Sequence, residues 1–271
     1  PRSLSDRLGW IGAITVAALV LTAVFAPVLA PYDPTERVGR PFLPPSADHL
    51  LGTNDVGQDL LSELIFGARV SLTVGIVAAL VAMLIGTTVG IVAGYYPKRA
   101  GAVLMRFVDV VLILPFLPLL IVLAAYLGRS LTNTIVVIGV LIWAGPARII
   151  RSQVLSLRSR EYVLASRSMG ARDRWVIFRH ILPRTALLAT GSFVRAISGA
   201  ILLEAALSFL GLGDPIQKSW GSILFWAQSR GAFLTPAWKW WVLPPGLAIM
   251  AASLGFAPIA FAVEERINPK L

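Results

Sequence analysis

An all-α, polytopic membrane protein with six transmembrane helices is the fold class this sequence predicts, and three observations predict it. Of the 271 residues, 56% are hydrophobic and only 14% charged, whereas a soluble domain has about 25% charged residues. Six apolar runs recur along the chain, each near the roughly 20 residues a helix needs to cross hydrocarbon, where no water satisfies an open backbone group. Lys and Arg gather in alternate loops, the bias that marks the cytoplasmic side of a membrane.

The runs lie at about 9–31, 70–96, 107–127, 132–147, 186–211 and 242–263. The first ends in "VLAP", but it exceeds the core of a secretory signal and Pro31 would follow the cut, so it reads as a span. The fourth is short, and its helix is expected to continue into the basic segment behind it. Arg2 and Arg7 precede the first run; Lys98, Arg99 and Arg106 surround the loop after the second; nine arginines run from Arg148 to Arg184. The opposite loops hold Arg37 and Arg40 among six acids, then Arg129 alone, then a near-balanced stretch from Asp214 to Lys239. Six spans then put both chain ends in the cytoplasm. Nothing repeats and no linker intervenes, so 1–271 reads as a single transmembrane domain with an extracytoplasmic segment at 32–69 and a cytoplasmic loop at 148–185. Within the former, "PYDP" and "PFLPPS" resist regular structure, and "DVGQDLLSELIFGARV" reads as a helix lying near the membrane surface.

Gly86, Gly90 and Gly94 recur every fourth residue and share one face of the second span. This doubled GxxxG lets another helix approach closely; the plain reading is packing, the alternative a moving or inter-subunit seam. Pro115 and Pro118 predict a kink in the third span. Charges in hydrocarbon face a cavity, a partner or an interface. Asp109 stands one turn from Arg106, an expected interfacial pair. Arg195 and Glu204 are nine residues apart, which at about 100° per residue sets them on opposite sides of the fifth span, so each needs its own partner. Glu204 reads equally as a pore or subunit-interface group and as one satisfied within the domain; Arg195 and Asp109 are further candidates for the pore or subunit interface.

The segment "EYVLASRSMGARDRWVIFRHILPR" at 161–184 is dense in arginine, and its pattern exceeds what loop bias requires. Good helix formers precede Gly170, which is suited to end a helix in the left-handed conformation. After it, Trp175, Phe178 and Leu182 fall on one apolar face while Arg172 and Arg179 share another. Pro183 is expected to break this second helix before the fifth span. Such a basic amphipathic hairpin suits an anionic lipid surface and a protein partner alike.

This segment resembles the EAA loop of ATP-binding-cassette importer permeases, whose pattern is Glu-Ala-Ala, three residues, Gly, nine residues, Ile, one residue, Leu-Pro. Ala165, Gly170, Leu182 and Pro183 match; Leu164, Ser166 and His180 depart from it. Glu161 and the "FRHILP" ending are forms of the peptide-permease branch. "HLLGTNDVGQDLLSELIFGARVSL", "MRFVDVVLILP" and "ILLEAALSFLGLG" are similar to segments of the second permease subunit of dipeptide, oligopeptide and nickel importers. The resemblance implies the type I importer permease fold, a bacterial inner-membrane location and a coupling helix that docks on a cytoplasmic ATPase. The coupling residues would be Glu161, Leu164, Ala165, Ser166, Gly170, Ala171, Arg172, Asp173, Arg174, Leu182 and Pro183. It also implies partners: a second, homologous permease, two ATPase subunits, and an extracytoplasmic substrate-binding protein touching 32–69 and the tryptophan-rich 214–241. The favoured reading for most of those tryptophans is nonetheless an aromatic belt.

Other classes find little support. No G-x-x-x-x-G-K-[ST] loop occurs to cradle nucleotide phosphates, so no cofactor is expected in this chain, and ATP and Mg belong to the partner ATPases. With no cysteine and only His49 and His180, neither a metal site nor a catalytic constellation is expected, and an enzyme is disfavoured. The net charge of +10 lies in membrane-flanking loops rather than in a nucleic-acid patch. The resulting expectation is a peptide-importing permease; nickel chelates, oligosaccharides and haem-like ligands are alternative cargoes, and a stand-alone secondary transporter is the alternative class.

Overall fold

Hydrocarbon leaves a spanning chain little choice but the self-satisfied helix, and in the computed structural model, which describes residues 4–267, every regular element is helical. In chain order these are α1 (Leu4–Val24), a short α2 (Ala26–Leu29), α3 (Leu60–Tyr95), α4 (Arg99–Ile113), α5 (Phe116–Leu127), α6 (Leu131–Ile142) and α7 (Ala144–Arg158). There follow α8 (Glu161–Ser168), α9 (Asp173–Val176), a π-turn over Ile177–Ile181, α10 (Leu182–Phe209), α11 (Trp220–Ser229), α12 (Trp238–Trp241) and α13 (Leu243–Ile267). Four runs are long and apolar enough to cross a membrane, and the bent pairs α4–α5 and α6–α7 bring the number to six. Arg2, counted above among the flanking charges, lies outside the described residues.

α3 is the axis. Its 36 residues extend for roughly 54 Å, against about 30 Å of hydrocarbon, so part of it stands clear of the bilayer. The surface helix read from 55–70 is therefore not separate. Nothing breaks the helix between Leu60 and Tyr95, and Asp59 caps it by accepting from the Ser62 amide at 2.8 Å.

The glycine face of α3 meets α7. A Cβ on Gly86 would stand 2.8 Å from the Trp143 carbonyl oxygen, on Gly90 2.7 Å from the Ile150 Cβ, and on Gly94 2.6 Å from the Val154 Cβ. Only glycine lets these backbones approach so closely. α1 and α13 run antiparallel, Gly9 abutting Ala262 and Gly12 the Gly255 carbonyl. Glu264 lies over Gly191 in the first half of α10, so the start of α1 and the last turns of α13 fall at the end of the bundle that carries α8 and α9.

Three local expectations change. α4 and α5 are bent by 89° at Leu114–Pro115, a corner rather than a kink; Pro118 sits within the first turn of α5, where its missing amide has no role. Trp220 and Trp241 are 1% exposed and belong to the core, not to an interfacial belt: α11 dips back into the bundle, Trp220 against Gly67 and Gly221 against the Ala205 backbone. Pro183 does not break the second hairpin helix. The wide turn at Ile177–Ile181 precedes it, so α9 and α10 form one continuous run from Asp173 to Phe209. An i→i+5 turn displaces the carbonyls against which a proline ring would otherwise clash.

The seam supplies a direct test. Gly90→Ala is expected to destabilise the protein by about 1–3 kcal/mol, the usual cost of overpacking, whereas Gly199→Ala, whose Cβ meets nothing within 4 Å, should leave thermal unfolding in detergent unchanged.

Candidate functional site

Local chemistry shapes the hairpin at 161–184. α8 ends in a complete Schellman motif: the Ala171 amide donates to the Ser166 carbonyl at 3.1 Å and the Gly170 amide to Arg167 at 3.0 Å. Gly170 has φ +83° and open space around it, the left-handed conformation that glycine adopts without strain. Asp173 then opens α9. Val163, Val176 and Ile181 are fully buried with Ile150 and Val154 of α7 and with Tyr95, which roots the hairpin on the bundle.

The face pointing away is different from the one read in the sequence. Trp175 is 51% and Phe178 67% exposed, while Val176 and Ile181 turn inward; Leu182 is half-buried against this same cluster. The apolar stripe is thus split because the π-turn adds a residue to the helical register. Exposed alongside Trp175 and Phe178 are Glu161, Leu164, Ala165, Gly170, Arg172, Arg174 and Pro183. Ser166 is buried, donating to the Tyr162 carbonyl and meeting His180 Nε2 at 3.1 Å. Ala171 packs at the edge of the root cluster.

Asp173 faces the bundle. Its carboxylate accepts from the Tyr95 hydroxyl at 2.8 Å and from the Tyr96 hydroxyl at 3.0 Å, both at the tail of α3. Arg158 donates to the Tyr95 carbonyl, and Arg167 lies 5.9 Å above the Tyr95 ring. Burial, followed by the hydrogen bond to Asp173, raises the Tyr96 pKa above the ordinary phenol range. These tyrosines were not anticipated: they are 78 and 77 residues from Asp173, and the only local sign is a pair of phenols before Pro97 at the close of an apolar run. A polar cavity of about 700 Å³ beside the hairpin is lined by Ser156, Arg160, Glu161, Tyr162 and Arg184, with the Arg184 guanidinium 4.2 Å above the Tyr162 ring.

At the other end of α3 a second polar cluster is buried. Asp59 Oδ1 meets His49 Nδ1 at 3.1 Å, and Glu63 accepts from Asn54 at 2.9 Å and pairs with Lys218 at 2.9 Å. Lys218, which also donates to Gln58 at 3.2 Å, and the Asp55–Arg230 pair bind the 32–59 segment to both ends of α11.

Glu204, Arg195 and Asp109 each find a partner within the chain. Glu204, 2% exposed, accepts from Ser71 at 2.8 Å and Ser208 at 2.6 Å, tying α10 to α3. Arg195 pairs with Glu264 of α13, so the two charges do point apart and are satisfied separately. Asp109 pairs with Arg148 of α7 rather than with Arg106; a neighbouring helix presents a guanidinium more directly than one turn of the same helix does. Among the described residues no group of three His, Asp or Glu side chains could hold a metal.

Up to six traverses and a helical hairpin rooted at one end define a multi-pass membrane protein. Residues 86–271 match the family described as the binding-protein-dependent transport system inner membrane component, and residues 2–45 match the N-terminal transmembrane domain of oligopeptide transport permease C. The chain belongs to the former family and has the type I importer permease fold. It is 36% identical to the dipeptide transport system permease protein DppC of Alkalihalophilus pseudofirmus, over 98% of this chain and 87% of that one. It is 38% identical to the di/tripeptide transport system permease protein DppC of Pseudomonas aeruginosa over 96% and 87%, and 34% identical to the oligopeptide transport system permease protein OppC of Bacillus subtilis over 100% and 88%.

The clamp at Asp173 predicts a local effect. Hydrogen bonds to a charged acceptor contribute about 1.5–3 kcal/mol when buried, and less at a partly exposed site such as this. Asp173→Ala is expected to speed amide hydrogen exchange across 161–176 by about tenfold or more, while protection around Asp59 and Glu63 is retained.

Proposed function

We propose that this chain is the peptide-importing permease subunit of an ATP-binding-cassette importer, set in a bacterial inner membrane with both ends and the hairpin on the cytoplasmic side. A second, homologous permease would complete the translocation path, two ATPase subunits would bind the hairpin, and a substrate-binding protein would deliver cargo at the opposite face. The observation that carries this reading is the hairpin: bent at Gly170, rooted in the core, and clamped through Asp173 to the tail of α3.

That geometry supports a lever. A protein gripping the exposed Leu164, Ala165, Trp175 and basic residues cannot shift α9 without moving Tyr95 and Tyr96, hence α3, and α9 runs without interruption into α10. Closure of partner ATPases would in this way reach two of the long spans, and alternating access follows from reorienting them. ATP and Mg are assigned to those partners, since the phosphate-binding loop is missing here. The binding protein is assigned to the other end, where Ile216 before α11 and Phe233 and Leu234 after it are exposed apolar side chains. Peptide cargo is supported by the similarity to the dipeptide, di/tripeptide and oligopeptide permeases; one further relative, 34% identical, is the glutathione transport system permease protein GsiD of Pectobacterium atrosepticum.

Gly170→Val tests the lever. Open space surrounds Gly170, so the variant meets only backbone strain, about 1–3 kcal/mol for a β-branched residue held left-handed. In proteoliposomes holding the complete assembly, substrate-stimulated ATP turnover should fall severalfold while insertion and helix content are kept; Gly170→Asn, which tolerates this conformation better, should lose less. Peptide uptake by this chain without any ATPase would overturn the reading in favour of a secondary transporter.

A further inference from the structure

α3 is covered by neighbours on every side but one. Its exposed positions, Arg69, Thr73, Ile76, Leu80, Leu84 and Thr88, recur at three and four residues and so form one stripe along the helix. At the Asp59 end, two cavities open on that stripe and share Arg69. One, of about 290 Å³, is lined with Thr35, Phe66, Gln217 and Lys218. The other, of about 360 Å³, lies between α1 and α3 and is lined with Val20, Val24, Leu72, Thr73 and Ile76.

Arg69 is the last charge before an apolar run that reaches Lys98, which places it at the hydrocarbon boundary. Among the described residues no carboxylate pairs with it, whereas the adjacent Lys218 is held by Glu63 at 2.9 Å and Gln58 at 3.2 Å. An uncompensated guanidinium thus stands above an oily slot. The slot's lining is apolar apart from Arg69 and Thr73, and Val24 at its rim is more than half exposed, which suits hydrocarbon and not a hydrated path. From Arg69 to Val77, both of which line the slot, α3 descends about 12 Å, within the roughly 15 Å depth of one leaflet.

We infer that this face of α3 is a binding site for one anionic phospholipid, its phosphate on the Arg69 fork and one acyl chain in the slot between α1 and α3. A planar guanidinium engages a phosphate through two parallel hydrogen bonds, and the cavity beside Lys218, mainly apolar but with Thr35 and Gln217 in its wall, leaves room for the remainder of the headgroup. A lipid here wedges α1 against the axis helix next to the Glu63–Lys218 cluster.

Native mass spectrometry of the purified full chain, with dioleoylphosphatidylglycerol or dioleoylphosphatidylcholine added, tests this. The wild type is expected to retain one phosphatidylglycerol in preference to phosphatidylcholine. Arg69→Gln should weaken that binding about tenfold, the loss of one charge-assisted contact, and Arg69→Lys should weaken it less. Arg129→Gln, an exposed arginine at the same end, should bind as the wild type does. Thr73→Trp, at an exposed position whose folding tolerates bulk, should fill the slot and abolish retention with Arg69 intact. Equal retention of both lipids by the wild type, unaltered phosphatidylglycerol binding by both Arg69→Gln and Thr73→Trp, or a photocrosslinker at Thr73 that captures a protein chain instead of lipid, overturns the inference.

Discussion

Two backbones held at glycine distance along Gly86, Gly90 and Gly94 are the constraint on which the rest of this bundle depends. Lipid tails are as apolar as leucine, so nothing like the hydrophobic effect in water presses α3 against α7; close van der Waals contact does it instead. With α7 fixed on α3, the hairpin that follows α7 must emerge beside the tail of α3. Tyr95 can therefore serve two purposes: its ring joins the root cluster while its hydroxyl reaches Asp173.

The ends of α3 are built differently. Near Asp59 the helix begins in a buried polar cluster, where the Glu63–Lys218 pair and the Asp59–His49 contact are each satisfied by further hydrogen bonds. A buried carboxylate stripped of its partner costs several kcal/mol, which makes this end rigid. Near Tyr95 the contacts are fewer and partly exposed, and they reach a hairpin that turns at Gly170. Stiffness at one end and a hinge at the other suit a helix that receives motion at the hinge.

Much of this was legible in residue order. The six apolar runs, the helix-ending role of Gly170 and the glycine seam each follow from local rules of spacing and backbone freedom, and the structure contains them as helices, a left-handed φ and a close helix pair. What was not legible depends on neighbours distant in sequence. Asp109 turns to Arg148 on α7, and Trp220 is buried because α11 folds back against Gly67; neither partner can be deduced from spacing. The Asp173 clamp is hidden for the same reason. The resemblance grouped Asp173 with residues that face a partner, yet its carboxylate is turned toward its own chain. Pro183 misled differently: the rule that proline ends a helix holds for regular α geometry, and the turn before it is not regular.

That irregular turn has an orientational consequence. One residue of surplus in a helical rod rotates everything upstream by about 100° relative to everything downstream. The azimuth at which Trp175 and Phe178 look out is therefore set by five residues, Ile177–Ile181, and not by the length of the rod. Deleting one of them would leave the rod intact and aim the same side chains at a different quadrant.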